Sequence, residues 1–121
     1  MSKFNSYKDL KIWMKGIELV KEIYSVTSTF PSEENFGLKQ QLRRCAVSIP
    51  SNIAEGWGRH TNKQFANFLY ISRGSLMELE TQIYLSKELN YIEVESFDKI
   101  NNIIIEEAKM INGFINNLKK D

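Results

Sequence analysis

A proline stands in the middle of a segment that otherwise keeps helical spacing. Residues 41–59 read Q-L-R-R-C-A-V-S-I-P-S-N-I-A-E-G-W-G-R, and their apolar stripe consists of Leu42, Cys45, Ile49 and Ile53. An interior proline cannot donate the backbone hydrogen bond that its position owes to the carbonyl four residues earlier, and its ring crowds that carbonyl. A helix that retains Pro50 must therefore be kinked or supported by its surroundings.

A polar stripe runs beside the apolar one in the same segment. It is formed by Arg44, Ser48, Asn52 and Glu55. Short polar side chains can donate to carbonyls that Pro50 disturbs, and an arginine can pair with a carboxylate or reach a neighbouring subunit. We assign a helix-supporting and oligomer-supporting role to Arg44, Ser48, Pro50, Asn52 and Glu55.

Four amphipathic helical segments account for nearly the whole chain, at about residues 7–27, 37–55, 62–90 and 93–118. Ser6 and Asp9 form a capping-box pattern at the first start, and Thr61 or Asn62 can cap the third helix. The first helix repeats apolar residues at helical spacing through Leu10, Trp13, Ile17, Val20 and Tyr24. Short connections force neighbouring helices antiparallel, so we expect an all-α, up-down-up-down four-helix bundle forming one domain over residues 1–121.

Glycine and asparagine mark expected stops and close contacts. Gly56 and Gly58 are expected to end the second helix, because glycine tolerates the left-handed conformation that often follows a helix. Asn90 is a plausible end for the third helix. Gly74 and Ser75 are small enough to let a neighbouring helix approach closely.

The fourth helix carries apolar residues outside its main stripe, namely Ile103, Ile105, Met110 and Phe114. A second apolar face must be buried against something. A wide contact within the monomer is one explanation, and self-association is the other. We favour an oligomer interface at these four residues, since a four-helix monomer offers no fifth partner.

Several classes of protein are not expected from the composition. Apolar residues make up 42% and charged residues 26% of 121 residues, and there is no long apolar run for a membrane span. The N-terminal residues lack a signal-peptide pattern, and the single cysteine, Cys45, fits a reducing cytoplasm. We therefore expect a cytoplasmic protein.

Catalytic and metal-binding patterns are also not apparent. The chain has one histidine, His60, whereas di-iron bundles need Glu-x-x-His motifs and structural zinc needs about four Cys or His ligands. Cys45 lies on the apolar stripe, which is typical of a buried thiol. We expect no enzymatic activity, no cofactor, no metal and no small-molecule substrate.

Charge is distributed unevenly along the chain. Residues 1–75 hold eleven Lys or Arg against six Asp or Glu, whereas residues 76–121 hold five against nine. This division is compatible with an anionic ligand and equally with head-to-tail contacts between subunits. Cations with Trp57 nearby could contact phosphates and stack on a base, so the sequence predicts a nucleic-acid-binding zone at Lys39, Arg43, Arg44, Arg59, His60 and Lys63. The alternative is that these charges only keep the surface soluble.

Three motifs in order resemble a known family. They are Y-K-D-L-K-I-W, then L-R-R-C-A-V-S-I-P-S-N-I-A-E-G-W-G-R, then F-x-x-F-L-Y-I-S-R-G-S-L-x-E-L-E-T. Together they resemble the four-helix-bundle proteins encoded within intervening sequences of bacterial large-subunit ribosomal RNA genes, whose fold is similar to the accessory protein of diversity-generating retroelements. The resemblance implies a ring-shaped homopentamer without established enzymatic activity. Cys45 and Trp57 stand where the family often has alanine and another aromatic residue.

The sequence thus leads to two functional expectations. The first is a bacterial, non-enzymatic homo-oligomer that binds RNA or another nucleic acid through the basic zone. The second is an oligomeric protein-interaction or assembly module in which the same residues make subunit contacts.

Overall fold

A computed structural model describes residues 4–120 and contains four α-helices and no strand within that range. The α-helices are α1 (Lys11–Thr27), α2 (Leu38–Trp57), α3 (Asn62–Glu88) and α4 (Val94–Lys120). Each helix packs against the next, and α4 returns to pack against α1. The all-α four-helix bundle predicted from the sequence is confirmed. Residues 1–3 and 121 of the predicted domain lie outside the described range.

The chain enters α1 through a separate short turn. Tyr7–Asp9 form a 3-10 helix, and the predicted capping box is present. The Ser6 side chain accepts a hydrogen bond from the Asp9 amide, and the Asp9 side chain accepts one from the Ser6 amide. Leu10 is then extended, with φ −77° and ψ 129°, so α1 begins at Lys11 and not at Tyr7. A second 3-10 helix, Ser32–Glu34, connects α1 to α2.

The buried face of α1 differs from the predicted one. Its buried residues are Ile12, Gly16, Leu19, Ile23 and Thr27. Trp13 and Val20 are only partly buried against this core, and Tyr24 is exposed. Of the predicted stripe only Leu10 is fully buried. For the rest the prediction was wrong, because α1 carries two apolar stripes, and the one that contains a glycine and a threonine has the weaker hydropathy pattern. The stripe of α2 named above is buried throughout. In α3 the helical spacing predicts a core stripe whose residues are also all buried, namely Phe65, Leu69, Ser72, Leu76, Leu79 and Ile83.

Helix α2 continues through Pro50, which is buried. A β-carbon on Gly16 would lie 3.3 Å from Cβ of Pro50 and 3.4 Å from its Cδ, so the proline ring packs against the bare backbone of α1. Side chains also donate to α2 carbonyls that precede the proline. Ser48 Oγ donates to the Cys45 carbonyl at 2.6 Å, Asn52 Nδ2 to the Ser48 carbonyl at 2.8 Å, and Ser72 Oγ to the Ile49 carbonyl at 2.9 Å.

The glycines act differently from the expectation. Gly56 is buried inside α2, and Gly58 caps α2 with φ −76°, which is a right-handed conformation. These residues therefore do not end the helix by a left-handed turn. Gly74 is exposed, and a β-carbon there would meet nothing within 4 Å, so it is not a close contact.

The connection from α3 to α4 includes Asn90, which the sequence predicts as the end of the third helix; α3 ends at Glu88. Asn90 has φ 64°, the only positive φ at a non-glycine residue in the described range. The Tyr91 amide donates to the Ser86 carbonyl at 2.9 Å and completes this turn. None of the helices in residues 4–120 combines the length and the apolar character needed to cross a membrane.

The apolar arc of α4 is mostly used within the monomer, contrary to the predicted oligomer interface. Ile103 is only 8% exposed and belongs to the core, and Met110 and Phe114 pack against that core. The ring centre of Phe114 lies 5.4 Å from that of Phe65. Ile105 alone among the four is exposed, at 41%. The reason is that α4 packs against both α1 and α3, which buries a wide arc of its surface.

Four of the exposed large apolar side chains in the described residues lie on α3. We use the name α3 face for Ile71, Met77, Tyr84 and Leu85, each of which is about half exposed. This face was not identified from the sequence.

Candidate nucleic-acid interface

The six predicted nucleic-acid-binding residues fall into two separate groups. Lys39, Arg43 and Arg44 lie in the N-terminal half of α2. The other three, Arg59, His60 and Lys63, lie around the α2–α3 connection. With a rise of about 1.5 Å per residue, roughly 20 Å of helix separates the two groups. The structure therefore does not bring the six residues into one continuous zone.

The first group lines a cavity of about 590 Å³ between α1 and the start of α2, here called the basic pocket. Its lining residues are Tyr24, Asn35, Phe36, Lys39, Gln40, Arg43, Arg44 and Val47. Three of these side chains are cationic, two are aromatic and none is a carboxylate. The electrostatic potential of the pocket is consequently positive, and an anion that enters it meets no opposing carboxylate in the lining.

Arg43 is held in one position by α1. Its Nε donates to Thr27 Oγ1 at 2.9 Å, its Nη2 donates to the Tyr24 carbonyl at 3.2 Å, and its guanidinium lies 4.4 Å from the centre of the Tyr24 ring. Thr27 is itself fixed, because its hydroxyl donates to the Ile23 carbonyl at 2.7 Å. Arg43 therefore joins the two helices and contributes a fixed charge to the pocket.

The side chains of Lys39 and Arg44 are not held by contacts of this kind. Neither side chain makes an ion pair or a hydrogen bond with any residue in the described part of the chain. Lys39 is half-buried and Arg44 is exposed. Their charges remain available to a ligand in the pocket.

The second group is largely occupied by internal contacts. Arg59 pairs with Glu55 at 2.9 Å and lies over the Phe68 ring at 4.8 Å. The predicted stacking residue Trp57 is partly buried, and its ring makes edge contacts with Phe4 and Phe65. His60 and Lys63 are exposed. This end of α2 offers fewer uncompensated charges than the basic pocket.

Two residues of the polar stripe of α2, Arg44 and Ser48, line a shallow groove between α2 and α3. The hydroxyls of Ser48 and Ser75 share a hydrogen bond of 2.8 Å, which ties the stripe to α3. Arg44 does not pair with Glu55, because Glu55 lies about 16 Å further along α2 and is paired with Arg59. The groove, of about 410 Å³, is lined by Gln41, Arg44, Cys45, Ser48, Ser75 and Glu78.

The cysteine in this groove is not an activated nucleophile. Cys45 is only 6% exposed, and its thiol donates to the Ser75 carbonyl at 3.1 Å. Burial, aided by the negative charge of Glu78, raises the pKa of Cys45 to about 12. The thiolate that nucleophilic chemistry requires is therefore strongly disfavoured.

Another cavity, of about 1050 Å³, lies between the end of α1 and the α3–α4 connection. Its cations are compensated, since Lys99 pairs with Glu22 at 2.9 Å and Lys87 lies 4.4 Å from the Phe97 ring centre. Glu93 and Glu95 also line it. This mixed lining is less suited to a polyanion than the basic pocket.

One carboxyl group is buried where three helices meet. Glu107 of α4 is 0% exposed, and neither of its oxygens has a hydrogen-bond partner in the described residues. Its Oε2 would lie 3.4 Å from a β-carbon on Gly16. Burial raises the pKa of Glu107 to about 8, although the charge of Lys15 acts in the opposite direction. Lys15 is also engaged with Glu106 and Glu18.

Glu107 is enclosed by the core and opens into none of the cavities described above. It therefore affects the stability of the bundle rather than providing a reactive site. Among residues 4–120, no group of three or more His, Cys, Asp or Glu residues is arranged to hold a metal ion.

Sequence reasoning missed the aromatic residues of the basic pocket. Tyr24 was assigned to the core stripe of α1, and Phe36 was assigned no role. A usable signal was present for Phe36, because it lies outside every helical stripe and directly precedes Gly37 in a connecting segment. For Tyr24 there was no such signal, because only the packing of α1 decides which of its two apolar stripes faces the core.

Comparisons with known proteins agree with this architecture. No curated protein matched the chain. A crystal structure of a protein of unknown function from the S23 ribosomal protein family of Bacteroides thetaiotaomicron is similar, with a TM-score of 0.79 and 25% sequence identity, over 87% of this chain and 95% of that one. The model of the 23S rRNA-intervening sequence protein family matches residues 8–113. The chain therefore belongs to the 23S rRNA-intervening sequence protein family.

Proposed function

We propose that this protein is a non-enzymatic, homo-oligomeric helical bundle that binds RNA through the basic pocket. The observation that carries the proposal is the pocket lining, which places Lys39, Arg43 and Arg44 together without a carboxylate. Phosphate groups are the anions that such a cluster recognises best in a polymer, because each neutralised phosphate releases condensed counterions. The free thiol Cys45 also suits a cytoplasmic location, where RNA is present.

RNA is preferred to other polyanions because of the family. The family is named for the intervening sequences of 23S rRNA. An RNA transcribed beside the protein is the natural first ligand to test. The resemblance to the intervening-sequence proteins implies a ring of five, so we propose five subunits.

The binding proposal is tested by filter binding to a structured RNA over a salt series. Affinity should fall steeply between about 50 mM and about 200 mM salt, and the double variant Lys39→Ala/Arg44→Ala should reduce the slope by about 1 to 2 because two phosphate contacts are lost. A matched variant, Arg59→Ala/Lys63→Ala, removes the same charge at the other end of α2 and should change the slope less. Absence of binding at low salt, or equal effects of the two variants, would refute binding at this pocket.

A second candidate function is an assembly module without a nucleic-acid ligand. It is favoured by the α3 face, because four half-exposed apolar side chains on one helix are typical of a surface that another protein covers. We propose that the same face supplies subunit contacts in the oligomer.

Light scattering distinguishes the two candidates. The variant Ile71→Glu/Leu85→Glu should lower the mass of the assembly, whereas Ile105→Glu on α4 should not. If the protein assembles through α3 but binds no RNA at low salt, the assembly module is the better description. A monomeric wild-type protein would refute the oligomer that both candidate functions assume.

A further inference from the structure

Phe36 is the most exposed large apolar side chain in the described residues, at 91%. A single exposed apolar residue is ordinary on a protein surface. The surroundings of Phe36 are not ordinary, because the same pocket contains Tyr24, which is 43% exposed, and three cations. Both faces of the Phe36 ring are therefore open next to groups that attract phosphate.

The loop that carries Phe36 is ordered by one acidic residue. Glu34 Oε1 accepts from the Leu38 amide at 2.9 Å, and Glu34 Oε2 accepts from the Tyr91 hydroxyl at 2.9 Å. The Gly37 amide donates to the Glu34 carbonyl at 3.0 Å. A β-carbon on Gly37 would lie 2.7 Å from Glu34 Oε1, so the glycine makes room for this carboxylate. The Phe36 ring is consequently presented on a fixed support.

The remaining lining residues complement a nucleotide. Asn35 and Gln40 supply amide groups that can donate and accept hydrogen bonds at a base edge. Lys39 and Arg44 supply cations without partners in the described residues. One ring face, two amides and two free cations are the chemical groups needed for a base and its flanking phosphates.

From this arrangement we infer that the basic pocket binds an unpaired nucleotide of RNA, with its base stacked on Phe36 and its phosphates near Lys39 and Arg44. The inference rests on the proposed RNA binding and adds the class of RNA. Bases in a duplex are already stacked on one another and offer no free ring face, whereas unpaired bases in loops and single strands stack on aromatic side chains. The pocket should therefore distinguish a single strand from a duplex.

The test compares three labelled RNA probes with the full-length protein. The first is a short single strand, the second is the same strand annealed to its complement, and the third is the same strand with abasic positions. Wild-type protein should bind the single strand most tightly. Phe36→Ala should weaken single-strand binding by about 5- to 150-fold, the range that loss of one base–aromatic stack produces, and should leave duplex and abasic binding nearly unchanged.

Two further variants separate stacking from simple apolar contact. Phe36→Trp keeps an aromatic face and should retain binding, whereas Phe36→Leu should behave like Phe36→Ala. Met14→Ala on α1 is the matched control for loss of an exposed apolar side chain and should not alter RNA binding. Since Phe36 is almost fully exposed, all three Phe36 variants should fold with unchanged thermal stability.

The outcomes distinguish this inference from the proposed function. If wild-type protein binds none of the probes at low salt, RNA binding itself is wrong. If it binds all three equally and Phe36→Ala has no effect, RNA binding stands but the inference is overturned. A fall in the mass of the oligomer caused by Phe36→Ala would also overturn it, because the ring would then be a subunit contact.

Discussion

A β-carbon on Gly56 would lie 2.7 Å from Cδ1 of Phe65. Gly56 stands near the end of α2 and Phe65 in the first turn of α3, so the missing side chain lets the two helices approach closely. The same hypothetical atom would lie 2.8 Å from Cβ of Phe68 and 3.2 Å from the Phe65 carbonyl oxygen. Because one of these obstacles is backbone, rotation of a side chain cannot relieve the contact.

We expect Gly56→Ala to lower the free energy of unfolding. Overpacking costs about 1–3 kcal/mol and the gain in helix propensity returns about 1 kcal/mol, so the net loss should be at most about 2 kcal/mol. Urea denaturation measures this change. Gly74→Ala is the control, since a β-carbon there would meet nothing within 4 Å. It should raise stability by roughly 0.5–1 kcal/mol, and a gain of that kind in Gly56→Ala would contradict the packing argument.

Stability should fall as pH rises because of Glu107. The ordinary pKa of a glutamate, 4.5, is raised to about 8 in the folded protein, mainly by burial. Between these values the folded state holds a proton that the unfolded state has lost, so the free energy of unfolding decreases from about pH 4.5 to about pH 8. The charges that act on the group are Lys15, which lowers its pKa, and Glu106 and Glu18, which raise it.

The variant Glu107→Gln isolates this effect. Urea denaturation at several pH values should show a flatter pH dependence than wild type and a higher stability near neutral pH. Glu95→Gln changes an exposed carboxylate at the other end of α4, which is not among the charges that act on Glu107, and should leave the slope in place. An identical slope in Glu107→Gln and wild type would show that Glu107 titrates normally in the fold.

Arg43 should contribute to stability through the shape of its side chain as well as its charge. Arg43→Lys keeps the charge but loses the paired hydrogen bonds to Thr27 and to the Tyr24 carbonyl, together with the flat contact on the Tyr24 ring. We expect a loss of about 1 kcal/mol by thermal denaturation, because hydrogen bonds at a partly exposed site contribute modestly. Arg44→Lys is the matched control and should change stability by less than about 0.5 kcal/mol. Equal melting temperatures of the two variants would show that the Arg43 contacts do not stabilise the bundle.

Much of the fold could be predicted from local patterns. The capping box at Ser6 and Asp9, the end of α3 near Asn90 and the buried stripe of α3 follow from residue types at fixed spacing, since each depends on neighbours within about one helical turn. The bundle topology follows from the short connections between the helices.

The candidate site could be predicted only in part. The sequence predicted the cations of the basic pocket. It did not predict that they lie far from the group around Arg59, because that distance depends on the length of α2. The sequence predicted Trp57 as the aromatic residue of the site, but Trp57 packs against the core, and Phe36 lines the pocket instead. An exposed apolar surface was predicted on α4, but four of the exposed large apolar side chains lie on α3. The apolar arc of α4 is mostly buried within the monomer because it lies between two neighbouring helices.

The sequence alone thus determined the helices, their order and the family, because periodicity, capping and motif spacing are local properties of the chain. Tertiary structure decided which of the two stripes of α1 is buried, where Gly56 and Pro50 pack, and which cations remain without partners. These features depend on the rotation of each helix about its axis. That rotation is set by the packing of all four helices together, so no single segment of the sequence contains it.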